Sequence, residues 1–173
     1  PGVPVIVGGL SSTYFHRELI GYPQVDFVLR GDSTEPPLHQ LLVALRNGSS
    51  LEGIPNLTWK DAAGIRVNPH TYVPETLDYV DLRPDLVVAM MARYRDLAGT
   101  LPFRGWWRNP IAAVFTVKGC SYECVTCGSS QTTCTHLTRR QRPVFRSPAS
   151  LVANVEAFAR LTKGPIAPIG DLR

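Results

Sequence analysis

The sequence lacks the features of several protein classes. No apolar run reaches the length of a membrane span. Four cysteines are ordinary usage for 173 residues, and no signal-peptide pattern precedes them, so a disulfide framework is not expected. The net charge is only +4. The single basic cluster, residues 139–142 with Arg146, has no interleaved aromatic residue beyond Phe145. It is predicted to be a solvated loop, and nucleic acid is not an expected partner.

The cysteines that are present are concentrated in one place. Cys120, Cys124 and Cys127 lie within eight positions, and soft thiolates select zinc, copper(I) or iron-sulfur clusters over calcium and magnesium. Spacings of three and two intervening residues let a short loop give one sulfur to each of three irons. The fourth iron of such a cluster is left open, which makes it a place for a substrate or cofactor to bind.

Zinc is the alternative occupant of this loop. Structural zinc sites use a closed tetrahedral set, usually built from two paired knuckles, and no distant second pair exists here. Cys134 or His136 could nevertheless complete a set with the three clustered cysteines. The protein would then be a non-catalytic zinc-binding interaction module. In the cluster interpretation Cys134 is a spare, partly buried thiol.

The residues around the cysteines predict a parallel β-α-β unit. Residues 111–117 form an almost unbroken apolar run, typical of a parallel strand buried on both faces. Ser147 and Pro148 then predict the start of a helix that ends near Gly164. Its predicted apolar face is Leu151, Val152, Val155, Phe158 and Ala159. A second short strand is expected at 165–169, although Pro168 weakens that prediction. In (β/α) barrels the chemistry lies at the carboxyl ends of such strands.

The cysteine spacing and its position after a strand resemble the signature of the radical S-adenosylmethionine enzymes. The resemblance implies a 4Fe-4S cluster held by Cys120, Cys124 and Cys127. It implies that S-adenosylmethionine chelates the open iron and is cleaved reductively to a 5'-deoxyadenosyl radical. An electron donor such as flavodoxin or ferredoxin would be a partner. Because reduced cysteines and an oxygen-sensitive cluster both need reducing conditions, a cytoplasmic location is expected.

Two positions depart from the family pattern. The residue before the last cysteine is commonly aromatic and packs near the adenine, whereas here it is Thr126. The glycine-rich stretch that ends in an acid and binds the amino group of the cosubstrate is represented only by Gly170 and Asp171. Asp171 could equally be a helix-capping residue.

The front of the chain predicts an open α/β sheet. Residues 3–9 and 25–31 are expected to be strands. Ser33 or Thr34 is expected to cap a helix that presents Leu38, Leu41, Leu42 and Leu45 on one face and ends at Asn47-Gly48.

Because it precedes the cysteine motif in the sequence, this arrangement resembles the cobalamin-binding domain of a large radical S-adenosylmethionine subfamily. The glycine pair of that domain, matched by Gly8 and Gly9, lies beside the nucleotide tail of the cofactor. None of the four histidines stands in the Asp-x-His-x-x-Gly motif of a cobalt ligand. These histidines are His16, His39, His70 and His136.

The predicted fold class is therefore α/β: the C-terminal part of a Rossmann-like cobalamin-binding domain, followed by the first β/α units of a radical S-adenosylmethionine partial barrel. The expected boundaries are 1–53 for the first part, 54–108 for a connector and 109–173 for the start of the barrel. The connector holds a β-hairpin at 54–67 and a helix at 83–99, and Phe103, Trp106 and Trp107 are expected to pack between domains. A barrel needs on the order of 200 residues, so an internal fragment of a longer enzyme is expected. If cobalamin binds, the resemblance implies methyl transfer to carbon or phosphorus, or a ring rearrangement, on a small-molecule or peptide substrate.

Overall fold

The computed structural model describes residues 2–79, 82–96, 104–106 and 108–170. The strands are β1 (Ile6–Gly8), β2 (Phe27–Leu29), β3 (Leu57–Asp61), β4 (Gly64–Val67), β5 (Ala112–Phe115), β6 (Val117–Lys118), β7 (Val144–Phe145) and β8 (Ile166–Ile169). The helices are α1 (Leu10–Tyr14), α2 (His16–Gly21), α3 (Glu35–Asn47), α4 (Pro84–Tyr94), α5 (Gln131–Thr133) and α6 (Pro148–Ala159), with a π-helix at Cys134–Thr138. In the described part of the chain, no helix is both long enough and apolar enough to cross a membrane.

The chain divides into two compact units that do not follow its linear order. The first unit joins the residues up to Pro74 with Gly119–Pro143, and the second joins Glu75–Lys118 with the residues from Val144 onward. The cysteine loop thus belongs to the same unit as the N-terminal sheet. The boundaries expected from the sequence, 1–53, 54–108 and 109–173, divide the chain by the cofactor that each part would bind. They stay a prediction.

A four-stranded mixed sheet forms the centre of the first unit. Its order is β1-β2-β3-β4, in which β1 and β2 are parallel and the other two pairings are antiparallel. The predicted hairpin is confirmed, because β3 and β4 pair across a turn in which Asp61 faces Gly64. The hairpin extends the sheet from β2, since Phe27 faces Trp59 in the register.

Helix α3 supplies the apolar layer on this sheet. Leu41 and Ala44 are buried against strand residues such as Leu29 and Leu57, while Leu38 and Leu45 pack around them. Pro residues near its N-terminus suit the first turn of a helix, and Gly48 ends it in the left-handed conformation. The helix ends at Gly48 as predicted, and Thr34 occupies the N-cap position, but the Thr34 side chain makes no capping hydrogen bond, so that part of the prediction is wrong. Leu42 is half exposed and does not share the buried face.

The second unit contains the predicted β-α-β unit. Strands β5 and β8 are parallel, with Val114 opposite Pro168, and α6 lies between them in the chain. The strand predicted at 111–117 was expected to be buried on both faces, which is wrong. Ala112 and Val114 are buried, whereas Phe115 is 55% exposed. The run is also interrupted at Thr116, after which β6 pairs with β7 in an antiparallel sheet.

Helix α6 begins as predicted and then differs. The Ser147 hydroxyl accepts the N–H of Ser150 at 3.2 Å, which is the expected N-cap. The helix ends at Ala159, before Gly164, and much of its apolar face is exposed. The residue it buries is Asn154, at 3% exposure. Its amide oxygen accepts from the Arg146 guanidinium at 3.2 Å and its amide group donates to the Ser150 carbonyl at 3.0 Å.

Helix α4 corresponds to the helix predicted at 83–99, and it ends at Tyr94. The predicted continuation through Leu97 to Gly99 lies outside the described residues, as do Phe103 and Trp107. Trp106 is described, and its indole N–H donates to the Ile111 carbonyl at 2.8 Å. This bond lies within the second unit.

Candidate functional site

The cysteine loop begins directly after β6 and is shaped by its own backbone. The Cys127 N–H donates to the Cys124 carbonyl at 3.1 Å, and the Ser130 N–H donates to the Cys127 carbonyl at 3.2 Å. Cys120 is half buried, and Cys124 and Cys127 are exposed. Val125 at the tip is fully exposed. A tight exposed turn thus presents two of the three thiols to solvent.

The base of the loop is fixed to the short helix that follows it. The Glu123 carboxylate accepts the Thr132 N–H at 3.3 Å and also the Thr132 hydroxyl. The Gln131 N–H donates to the Tyr122 carbonyl at 2.9 Å. These bonds hold the two ends of the turn together, so the segment that carries the thiols has a defined base.

The donor chemistry of the loop fits an iron-sulfur cluster. All four cysteines are free thiols, and thiolates are the ligands that hold such clusters. In the described part of the chain, however, no three His, Cys, Asp or Glu side chains are grouped so that they could hold a metal ion. Cys120, Cys124 and Cys127 therefore supply suitable ligands that would have to converge on binding.

Cys134 has a different environment from the other thiols. It opens the π-helix, and its Sγ donates to the Ser129 carbonyl at 3.5 Å. Burial raises the pKa of this thiol, and the carboxylate of Asp32 raises it further. The partial burial of Cys134 is that expected from the sequence, and its role as a spare cysteine stays a prediction. His136, the other proposed zinc ligand, is exposed.

The Gly8-Gly9 pair lies at the carboxyl end of β1. Gly9 has φ +99° and precedes α1, and a Cβ at this position would meet no atom within 4 Å. At Gly8 the only neighbour of a Cβ would be the Leu29 carbonyl oxygen at 3.7 Å. The pair therefore leaves open space beside the backbone, where a ligand can approach closely.

The edge that carries this pair is tied to the end of β2 by hydrogen bonds. The Thr13 hydroxyl donates to the Gly9 carbonyl at 2.8 Å and accepts the Gly31 N–H at 2.8 Å. The Ser12 hydroxyl donates to the Gly8 carbonyl at 2.9 Å. These bonds make the carboxyl ends of the two parallel strands one connected edge.

Buried charged side chains next to this edge were not predicted from the sequence. Arg30 is 7% exposed and donates to the carbonyls of Asn56, at 3.3 Å, and Asn68. Burial, assisted by the positive charge of Arg30, lowers the pKa of His70 to about 4. The position of Arg30 directly after β2 was a signal in the sequence, because ligands bind at the carboxyl ends of strands in open α/β sheets.

The basic cluster is only partly the solvated loop that was predicted. Arg139 and Arg142 are exposed, but Arg140 is 2% and Arg146 6% exposed. The prediction is wrong for the two buried residues, because each is paired with polar groups inside its own unit. Arg140 bonds to Asp32 in the first unit, and Arg146 bonds to Asn154 in the second.

The second unit holds the other predicted cofactor position. Gly170 has φ +118°, and a Cβ there would lie 2.6 Å from the Thr116 hydroxyl oxygen and 2.7 Å from a methyl carbon of Val117. Only glycine fits beside β6. Asp171 lies outside the described residues. This unit also has an apolar cleft of about 280 Å³ between α6 and its parallel strands.

The fold is shared with solved radical S-adenosylmethionine enzymes. The methyltransferase TsrM from Kitasatospora setae, bound to tryptophan and a S-adenosylmethionine analogue, matches with a TM-score of 0.60 and 19% identity. The match covers 91% of this chain and 28% of TsrM. A structure of TsrM with cobalamin and a [4Fe-4S] cluster gives a TM-score of 0.57 and 21% identity, over 92% of this chain and 29% of that one.

Two further comparisons give a solved structure and a relative in sequence. The cobalamin-dependent radical enzyme OxsB, with aqua-cobalamin and S-adenosylmethionine bound, matches 95% of this chain and 20% of its own, with a TM-score of 0.59 and 15% identity. An uncharacterized methyltransferase of Pyrococcus horikoshii is 31% identical over 128 residues, which are 73% of this chain and 25% of that protein. The chain thus spans about a quarter of its curated relative. No family model matches it.

Proposed function

We propose that this chain is part of a radical S-adenosylmethionine enzyme in which Cys120, Cys124 and Cys127 hold a 4Fe-4S cluster. The observation that carries the proposal is three free thiols on one short loop directly after β6, in a chain with the fold of such enzymes. When bound, the cluster supplies the electron for reductive cleavage of S-adenosylmethionine, and flavodoxin or ferredoxin would be its donor.

The residues of the chain have separate tasks in this proposal. The loop presents Cys124 and Cys127 to solvent, where they are accessible to a cluster. Cys134 is partly buried and its Sγ donates to the Ser129 carbonyl, so we assign it no place in the ligand set. Gly170 lets Thr116 and Val117 pack closely against the end of its strand, and Asp171 is proposed to bind the amino group of S-adenosylmethionine.

We propose cobalamin as the second cofactor and methyl transfer as the reaction class. The open space beside Gly8 and Gly9 supports a large ligand at the end of β1. TsrM, which has been solved with cobalamin, and the Pyrococcus relative are both described as methyltransferases. The substrate is proposed to be a small molecule or a peptide.

The cluster is tested by anaerobic reconstitution of the full-length protein with iron and sulfide. We expect about four irons per chain and dithionite-dependent cleavage of S-adenosylmethionine. Alanine at Cys120, Cys124 or Cys127 is expected to abolish both, whereas Cys134→Ala retains both. Tight stoichiometric zinc without cleavage, lost in Cys134→Ala, would instead establish the zinc-binding interaction module.

The corrinoid is tested by retention of its visible absorption in the full-length protein. Gly9→Val is expected to weaken retention, because the new side chain fills the open space. Gly64→Val is the matched control, since Gly64 also has a positive φ with no atom within 4 Å of a Cβ. Retention reduced equally by both substitutions would show a general loss of folding, and absence of any corrinoid from the wild-type protein would refute the second cofactor.

A further inference from the structure

The cysteine loop is anchored in the first unit by a buried ion pair. Arg140 Nε donates to Asp32 Oδ2 at 2.6 Å, and Arg140 Nη2 donates to Asp32 Oδ1 at 2.9 Å. The side chains are 1% and 15% exposed. Nη1 also donates to the Pro74 carbonyl at 3.1 Å, and Nη2 lies 3.4 Å from the Ser33 hydroxyl. The guanidinium is therefore bound at all three nitrogens.

A buried ion pair of this kind is weak as a stabilising device. The desolvation of both charges offsets much of their attraction, and replacement of the whole pair by apolar side chains is often neutral or stabilising. What a bidentate pair does supply is geometry, because the planar fork of arginine fits a carboxylate in one orientation. The two partners are separated by 108 positions, so the pair selects one placement of the cysteine loop on the sheet.

On the loop side, Arg140 touches the residue before the first cysteine. Gly119 has φ +89°, and a Cβ there would lie 2.7 Å from Arg140 Cδ. The Arg140 N–H donates to the Cys134 carbonyl at 3.2 Å, and its own carbonyl accepts the Thr135 hydroxyl at 3.3 Å. The Arg140 side chain thus packs against the start of the cysteine loop, and the Arg140 backbone is hydrogen-bonded to the first residues of the π-helix that follows the loop.

On the sheet side, Asp32 follows the strand edge that carries the glycine pair. Asp32 comes directly after Gly31, whose N–H donates to the Thr13 hydroxyl, and that hydroxyl donates to the Gly9 carbonyl. A continuous series of contacts therefore runs from Gly9 to Asp32, from there to Arg140, and from Arg140 to the backbone before Cys120.

We propose that Arg140 is a positioning residue that sets the position of the cysteine loop relative to the sheet edge that carries Gly8 and Gly9, where the corrinoid is proposed to bind. The proposal rests on the proposed function for the identity of the two groups. It assigns Arg140 no contact with either cofactor; the residue acts through Gly119 on one side and Asp32 on the other. The expected consequence is a fixed distance between the iron-sulfur cluster and the corrinoid.

The test separates positioning from stability by four variants of the full-length protein. Arg140→Met removes the guanidinium from the partly buried Asp32 carboxylate, and we expect a lower unfolding midpoint. The double variant Arg140→Met, Asp32→Leu replaces the pair by apolar side chains, and we expect its midpoint to return towards the wild-type value. Arg140→Lys keeps the positive charge but loses the planar guanidinium fork, and its unfolding midpoint is expected to lie between those of Arg140→Met and the wild type. Arg142→Met is the control, because Arg142 is an exposed arginine of the same loop.

The first readout needs no cofactor. In cofactor-free protein, hydrogen exchange of residues 119–143 is expected to be at least tenfold faster in the double variant than in the wild type, and unchanged in Arg142→Met. Unchanged exchange in the double variant would overturn the proposal, because the loop would then keep its place without the ion pair.

The second readout is the distance between the two loaded groups. Pulsed dipolar EPR measures the separation of the unpaired spins of the reduced cluster and cob(II)alamin. We expect one narrow distance in the wild type and a broadened or shifted one in the double variant, despite its restored midpoint. A narrow, unshifted distance there would assign Arg140 a purely structural role. A wild-type protein that takes up no cluster refutes the proposed function; one that takes up the cluster but no corrinoid overturns only the positioning role.

Discussion

Gly119, directly before the first cysteine, occupies a position that only glycine fits. Its φ of +89° costs a side-chain-bearing residue about 1–2 kcal/mol, and a Cβ would lie 2.7 Å from Arg140 Cδ and 3.2 Å from the Pro143 Cα. The arginine stem cannot move aside while its guanidinium is bound to Asp32. We therefore expect Gly119→Ala to lower the free energy of unfolding by more than Gly64→Ala, in which the backbone conformation alone is strained.

Urea unfolding of the two alanine variants measures this difference. Overpacking typically adds about 1–3 kcal/mol, so the Gly119 variant should be less stable than the Gly64 variant by an amount in that range. Equal losses would mean that the space behind Gly119 can expand, and that the close contact with Arg140 is not a constraint on the loop.

His70 makes the stability of the first unit depend on pH. Burial lowers its pKa from 6.5 to about 4, and within the described residues its Nε2 has no hydrogen-bond partner. Between these two values the unfolded chain binds a proton that the folded chain does not, so stability falls as the pH falls from 6.5 towards 4. We expect His70→Gln to make this fall less steep.

The measurement is the free energy of unfolding at pH 7, 5.5 and 4.5. Part of the slope should remain in His70→Gln, because burial also lowers the pKa of His16. His39→Gln, which changes an exposed histidine, is the control substitution. A His70→Gln slope as steep as that of the wild type would contradict the assignment of this titration to His70.

At the scale of elements, two helix N-termini provide a matched comparison. The Ser147 hydroxyl caps α6 by accepting the Ser150 N–H, whereas Thr34 precedes α3 without a side-chain capping bond. Loss of a capping side chain costs about 1 kcal/mol, so Ser147→Ala should lower the thermal unfolding midpoint more than Thr34→Ala. The Asp78 carboxylate accepts the Ser147 backbone N–H at 2.8 Å, and that bond survives the substitution. Equal shifts would contradict the cap.

The elements that could be predicted from the sequence are those with local signals. Ser147-Pro148 begins α6, Gly48 ends α3 and the Asp61–Gly64 turn forms the hairpin, because caps and turns depend on neighbouring residues. Burial depends on distant ones. Arg140 stands in a basic run that predicts a solvated loop, and its burial is explained by partners far away in the sequence, Asp32, Ser33 and Pro74.

The same limit applies to the candidate site. The three clustered cysteines could be recognised as candidate ligands from their spacing, since the spacing of thiols on one loop is a local property. The exposure of Phe115 could not, because an apolar run does not reveal which of its faces is covered. The connection of the cysteine loop to the N-terminal sheet also depends on tertiary contacts, which no periodicity in the sequence records.

At the scale of the whole molecule, the two compact units predict how protection against hydrogen exchange is shared. Residues 119–143 belong with the N-terminal sheet, although β6 and β7 on either side of them belong to the second unit. If each unit opens cooperatively, a core substitution should reduce protection throughout its own unit, regardless of sequence order.

Leu41→Ala and Val114→Ala test this with one buried core residue from each unit, at 0% and 3% exposure. Loss of core methyl groups destabilises by about 1–5 kcal/mol. We expect Leu41→Ala to speed exchange in residues 27–29, 57–59 and 119–143, and Val114→Ala to speed it in 112–115 and 166–169. Mass spectrometry of peptides from the exchanged protein resolves these segments. If 119–143 instead followed Val114→Ala, the cysteine loop would be coupled to the strands beside it in sequence, and its anchoring by Arg140 would not govern its stability.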